Sequence, residues 1–273
     1  MKIAAIQMCS VDDVAANLSV AARLLAQAAA SGATLAALPE NFAFMGAHET
    51  DKLAHAETDG AGTIQDFLAQ TARKLSLWIV AGTVPLAVPG EAGKVYAANL
   101  VYDAQGQRRA RYDKIHLFDV DVPRAGSSER YRESNSIAFG APSAVTVDTP
   151  AGKFGLSVCY DLRFPELYRA LAADGAEILC VPSAFTEKTG EAHWQPLLRA
   201  RAIENQCYVI APGQSGTHPG GRRTWGHSMI INPWGEIVAE QQADGEGVVL
   251  AGIDCEYQTQ IRASFPSLNH RRL

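Results

Sequence analysis

The chain alternates short apolar runs with segments whose apolar positions recur every three or four residues. "KIAAIQM" (2–8), "TLAALP" (34–39), "LWIVAGTVPLA" (77–87), "YAANLVYDAQG" (96–106), Phe154 to Val158, "AEILCVPSA" (176–184), "CYVIAPG" (207–213) and "GEGVVLAGID" (245–254) read as strands. Between them, Val14, Leu18, Ala21, Leu25 and Ala28 line one face of a helix. Ser10 or Asp12 is expected to cap that helix and Gly32 to close it. Further helices are expected at 63–75, 164–174 and near 193–205, and a hairpin at 227–240 with its turn at Asn232 to Gly235. Many strands are apolar without alternation, which predicts sheets covered on both faces. Strands separated by helices predict βαβ units and an α/β fold. The pattern recurs loosely in both halves, as two related sheets would require. No linker interrupts it, so one domain is expected over 1–273, with a core to about residue 254 and a mostly polar tail at 255–273.

Composition narrows the function. Hydrophobic residues make up 47% and charged ones 19%, which suits a globular chain and not a disordered one. A formal net charge of −5 without a block of like charges disfavours nucleic acid as a partner. No stretch approaches the roughly 18 apolar residues of a membrane span. The first residues, "MKIAAIQMCSVDD", do not form a signal peptide, so a cytoplasmic location is expected. Five scattered cysteines without C-x-x-C, and histidines without metal-ligand spacing, predict neither a disulfide framework nor a metal site. No cofactor is expected.

Three positions carry candidate chemistry. Cys159 ends an apolar strand just before Pro165, a residue suited to the first turn of a helix. Such an elbow lifts a thiol out of the sheet, lets a helix N-terminus favour the thiolate, and leaves backbone N–H groups near a developing oxyanion. The alternative is a small buried hydrophobe. Glu40, in "TLAALPENF", also ends a strand; desolvation there would raise its pKa toward that of a general base, unless it only caps a turn. In "RYDKIHLFDVDVP", His116 would be the base of a Cys–His hydrolase, whereas Lys114 would hold an oxyanion if a glutamate were the base. Spacing does not separate these readings.

Taken together, "LPENF" (38–42), "YDKIHLFD" (112–119) and "GLSVCYDLRFPELYR" (155–169) resemble the three signature regions of the nitrilase superfamily, the carbon–nitrogen hydrolases. The resemblance implies a four-layer α-β-β-α sandwich, protomers paired as a homodimer or higher homo-oligomer, and an amidase. It maps the catalytic set onto Glu40, Lys114 and Cys159, with Glu133 in "YRESNS" as a supporting glutamate. Cys159 would attack an amide carbonyl after losing its proton to Glu40. Lys114 and the backbone N–H of Tyr160 would hold the oxyanion, and ammonia or an amine would leave a thioester for water to cleave. His116 then becomes structural. The finer wording resembles a branch whose small-molecule substrates are anionic 2-oxo acid amides. Arg163 would grip the carboxylate, unless it pairs with Asp161 or Glu166. Phe185, Thr186 and a loop carrying His193 and Trp194 would wall the pocket, core packing being the alternative for the aromatics. The basic, Gly-rich "THPGGRRTWGH" (217–227) is either a lid reaching a larger substrate or a solvated hairpin loop. The alternatives are another amidase or a nitrilase of the same superfamily and, last, a binding protein that keeps the fold without catalysis.

Overall fold

The structure is a computed structural model in which residues 1–124 and 127–272 are described. Along the chain run β1 (Lys2–Gln7), α1 (Val14–Ala30), β2 (Leu35–Ala37), α2 (Thr63–Leu75), β3 (Trp78–Val80), β4 (Val84–Ala87), β5 (Val95–Tyr102) and β6 (Arg108–Asp113). Then come β7 (Asp119–Arg124), β8 (Ser127–Arg132), β9 (Thr146–Thr149), β10 (Gly152–Leu156), α3 (Pro165–Ala173), β11 (Ile178–Cys180), α4 (Glu187–Asn205) and β12 (Tyr208–Ala211). The last are β13 (Ser215–Thr217), β14 (Arg223–Trp225), β15 (Met229–Ile231), β16 (Ile237–Glu240), β17 (Gly247–Gly252) and α5 (Cys255–Ser264).

Among the described residues, one sheet orders β17-β1-β2-β3-β5-β4 with β6 on β5, and the other β16-β15-β12-β11-β10-β9. Each is built on three parallel strands joined by helices: β1-α1-β2-α2-β3 in one, β10-α3-β11-α4-β12 in the other. This is the recurrence visible in the two halves of the sequence.

The period of two along each strand distributes its side chains. Ile3, Ala5, Leu35, Ala37 and Val80 join Leu156, Ile178, Leu179 and Val209 in one core that also takes in Tyr168 of α3 and Leu198 of α4. Ala4, Ile6, Ala36 and Ile79 face the opposite way, onto Leu18, Leu25 and Leu68 of α1 and α2. Each inner strand is therefore apolar on both faces, and the layers are helix, sheet, sheet, helix. This is the four-layer α-β-β-α sandwich that the family resemblance implied.

Several boundaries differ from the sequence reading. Asp13 caps α1, its Oδ1 accepting from Ala16 N at 3.0 Å, while the buried Ser10 hydroxyl donates to Phe42 O at 2.9 Å. The run 77–87 is two strands, broken at Gly82, where φ is +65° and a Cβ would sit 2.0 Å from Pro39 O. Helix α4 starts at Glu187 rather than near 193 and continues through Pro196, because Trp194, Leu198 and Ala202 on its buried side anchor it across the lost hydrogen bond. The tail contains α5, whose buried Gln258 donates to Glu177 O and Gln206 O, both at 2.9 Å. Leu273, the end of the expected tail, lies outside the described residues. No helix among them is long and apolar enough to cross a membrane.

Candidate active site

Four chain segments end at one cleft. Glu40 follows β2, Lys114 follows β6, Glu133 opens a short 3-10 turn after β8, and Cys159 opens another after β10. Lys114 is almost wholly buried, and its Nζ reaches Glu40 Oε1 at 2.9 Å and both Glu133 oxygens at 2.8 Å. Its backbone is pinned by hydrogen bonds to Ala97 O and from Gly140 N. Glu133 Oε2 also accepts from Phe118 N at 2.7 Å. Glu40 Oε2 accepts from Ala184 N at 2.9 Å, and the Cys159 thiol borders the same cleft as the Glu40 carboxylate.

The electrostatics run opposite to two expectations. Burial pushes the Cys159 thiol well above its ordinary value, and the Glu40 charge pushes the same way, outweighing Lys114. Burial would also raise Glu40, but the Lys114 charge and hydrogen bonds from Lys114 and the thiol hold it below its ordinary range. Burial disfavours the Lys114 charge, yet Glu133, Glu40 and Cys159 together raise its pKa well above the usual value. The resting site therefore holds a protonated thiol, an ionised Glu40 and a charged lysine. A helix N-terminus does not produce a thiolate here; burial first, and then the adjacent carboxylate, keep the thiol protonated.

Cys159 itself has φ of +47°, the left-handed region, and its N–H donates to Pro182 O at 2.9 Å. Asp161 holds the turn. Its fully buried carboxylate accepts from Val158 N (2.8 Å), Tyr112 OH (2.7 Å) and His116 N (3.1 Å), and its Oδ1 lies 2.7 Å from His116 Nδ1. His116 stacks on Phe164 at 3.7 Å and does not line the cleft, so it ties the Lys114 segment to the Cys159 turn. In that turn the Cys159 and Asp161 N–H groups bond to Pro182 O and Val158 O. The Tyr160 N–H between them bonds to no backbone carbonyl among the described residues and is a ready donor.

The cleft, about 460 Å³ with its open mouth included, is bordered by Glu40, Lys114, Glu133, Cys159, Tyr160, Arg163, Phe185 and Thr186. Arg163 makes no carboxylate pair among the described residues. Its guanidinium lies 5.3 Å from the Phe185 ring and 5.8 Å from that of Tyr160, and Nη1 donates to His193 Nδ1 at 3.2 Å. His193 and Trp194 lie on α4 and do not border the cleft. Trp194 is buried behind Phe185, 4.9 Å between rings, and donates to His227 O. His193 meets the site only through Arg163.

Glu49, Lys52 and Arg222 also border the cleft and were not singled out from the sequence. Lys52 Nζ lies 3.1 Å from Glu49 Oε2, and Arg222 Nη1 lies 3.3 Å from Glu49 Oε1. A Glu–Lys pair three residues apart and a doubled arginine in "GGRRTW" were the visible signals, but both patterns are common on solvated surfaces. The segment 217–227 is the hairpin β13–β14, with Arg222 turned inward and Arg223 outward toward Glu187. Among the described residues, no group of three or more His, Cys, Asp or Glu side chains is arranged to hold a metal ion.

This geometry can be set beside known proteins. The profile of the carbon–nitrogen hydrolase family matches residues 2–263. A deaminated glutathione amidase of Synechocystis sp. (strain PCC 6803 / GT-S) is 46% identical over 269 residues, covering 98% of this chain and 97% of its own. The structure of the C. elegans NitFhit protein superposes with a TM-score of 0.91 at 38% identity, covering 99% of this chain but 65% of that longer one. Saccharomyces cerevisiae Nit3, a member of branch 10 of the nitrilase superfamily, superposes at 0.86 with 32% identity, over 100% of this chain and 97% of that one.

Proposed function

The chain belongs to the carbon–nitrogen hydrolase family and is an amidase, a hydrolase of non-peptide carbon–nitrogen bonds; from that premise we propose that Cys159 is its nucleophile and deaminated glutathione its substrate. The observation that carries the catalytic assignment is Cys159 bordering one cleft with Glu40 and Lys114, the lysine Nζ held at 2.9 Å by Glu40 and at 2.8 Å by Glu133.

In this reading, Glu40 takes the thiol proton as the sulfur attacks the amide carbonyl carbon. The carbonyl oxygen becomes an oxyanion received by Lys114 Nζ and the Tyr160 N–H. Collapse breaks the carbon–nitrogen bond, and protonated Glu40 returns its proton to the departing nitrogen. The thioester is then attacked by a water that Glu40 deprotonates, releasing a carboxylic acid and restoring the thiol. Glu133, with both oxygens on Lys114, keeps that cation aimed.

The substrate reading rests on charge. Setting aside the catalytic groups, the cleft is bordered by Lys52, Arg163 and Arg222 against the single carboxylate Glu49, which suits an anion. Arg163, laid over Phe185, is the proposed grip for the 2-oxo acid carboxylate, with Thr186 beside it. In deaminated glutathione the leaving group is the amine of cysteinylglycine; ammonia would leave only from unsubstituted amides such as 2-oxoglutaramate. We also propose a cytoplasmic enzyme, in keeping with five unpaired cysteines, acting as a homodimer or higher homo-oligomer. Exposed Ile203, Trp234 and Phe265 offer an apolar surface for that pairing.

The test is carboxylate release from deaminated glutathione, 2-oxoglutaramate, glutamine, a carbamoyl amino acid and a nitrile, with intact-mass analysis during turnover. The expected result is preference for the first compound and an acyl adduct absent from Cys159→Ala. An adduct that persists in Cys159→Ala overturns the nucleophile assignment, and inertness of the first compound overturns the substrate.

A further inference from the structure

A second cleft adjoins the Cys159 cleft, and Asn41, Glu49, Lys52 and Arg222 border both. Arg163 borders only the inner one. Lys52 and Arg222 are thus the cations at the throat, and they share Glu49 between them. One carboxylate serving two cations leaves a positive charge there for a ligand to neutralise.

Arg222 is held in place by groups of the site itself. Its Nη2 donates to Ala184 O at 3.2 Å, and the N–H of that same residue donates to Glu40 Oε2. Its guanidinium lies 5.3 Å from the Tyr131 ring. The buried Nε–H has no acceptor among the described residues. A buried donor left unmade is costly, and a guanidinium whose Nη atoms are fixed while Nε is spare is preorganised to receive an anion.

We propose that Arg222 anchors a carboxylate on the leaving-amine side of the substrate, so that the outer cleft is a subsite for a short, acid-terminated amine such as a dipeptide. This rests on the amidase reading of Cys159. The scissile amide lies over Cys159, the acyl-side carboxylate turns toward Arg163, and the amine points out through the throat. Two extended residues span about 7 Å, so a dipeptide amine holds its terminal carboxylate well away from the scissile nitrogen. Arg222 acts on specificity and takes no part in proton transfer.

The experiment compares kcat/KM for 2-oxoglutaramate, its N-linked cysteinylglycine derivative, and the same derivative ending in a carboxamide. Wild type, Arg222→Gln and Arg222→Lys are assayed, with acyl adduct formation followed by mass. For the acid-terminated derivative, Arg222→Gln is expected to lose roughly 10- to 150-fold, chiefly in KM, and at least tenfold more than for 2-oxoglutaramate. The carboxamide is expected to cost the wild type a similar factor, and the two losses not to multiply; Arg222→Lys recovers part of the loss. Equal losses on all three amides, or losses that multiply, overturn the inference. So does turnover of 2-oxoglutaramate with neither derivative cleaved, an outcome that leaves the Cys159 reading standing. Absence of any acyl adduct on Cys159 removes that reading instead, and this inference with it.

Discussion

Lys114 Nζ lies 2.9 Å from Glu40 Oε1, a contact between two buried residues 74 positions apart that joins the ends of two strands. The lysine also holds Glu133, so one cation compensates two carboxylates whose side chains are 6% and 12% exposed. Removing it as Lys114→Met would strand both charges. We expect a loss of about 3–5 kcal/mol in urea unfolding and at least a hundredfold drop in kcat. An unchanged unfolding midpoint would show that the pair is not compensating charge.

The same relationship predicts the pH behaviour. Glu40 is held below its ordinary 4.5, so its stabilisation is fully present above that value and is lost as pH falls through the lower folded value. Lys114 is raised above 10.5, so its contribution is fully present below 10.5 and fades as pH rises through the higher folded value. The acid limb of kcat/KM should lie below pH 4.5. The thiol is raised above 9.0, so alkylation of Cys159 in the free enzyme should climb only above pH 9. An alkylation midpoint near neutrality would be incompatible with this arrangement.

At Cys159 the left-handed backbone, φ +47°, costs about 1–2 kcal/mol for any residue with a Cβ. Glycine avoids that cost and forfeits roughly 0.5–1 kcal/mol of chain entropy. Thermal denaturation should find Cys159→Gly at least as stable as Cys159→Ala, the reverse of the usual order. Should alanine prove clearly better, the turn must relax without its side chain.

Gly190 on α4 faces Trp225 of β14, and a Cβ there would lie 2.2 Å from the Trp225 Cβ. Alanine in a helix ordinarily stabilises by about 1 kcal/mol over glycine. Here Gly190→Ala should destabilise, by about 1–3 kcal/mol, because α4 and the hairpin must separate. Displacement of the hairpin that carries Arg222 should also raise KM for the acid-terminated substrate. A stabilised variant with unchanged KM would show that the hairpin is not docked on α4.

Much of this was legible from local pattern. Apolar runs without alternation announced strands buried on both faces, and Glu40 and Cys159 stood out because each ends a strand with a chemically apt side chain; Lys114 was separated from His116 only by the family resemblance. The ribbon β7–β8, "DVDVPR" against "SSERYR", was not recognisable, since its few apolar residues carry no core signal. His193 and Trp194 were assigned to a loop walling the pocket, whereas α4 begins at Glu187 and carries both, with Trp194 buried. Asp161, considered as a partner for Arg163, binds Tyr112 and His116 instead, 49 and 45 positions away.

By itself the sequence determined the layered α/β order and the residue types able to perform thiol chemistry, because period and strand ends are local properties of a chain. The tertiary structure decided the charge states and the neighbours. Whether Glu40 is raised by burial or lowered by Lys114, and whether an arginine in a basic turn faces solvent or Cys159, depends on desolvation and distance between remote segments. Those quantities exist only once the two sheets have closed on each other.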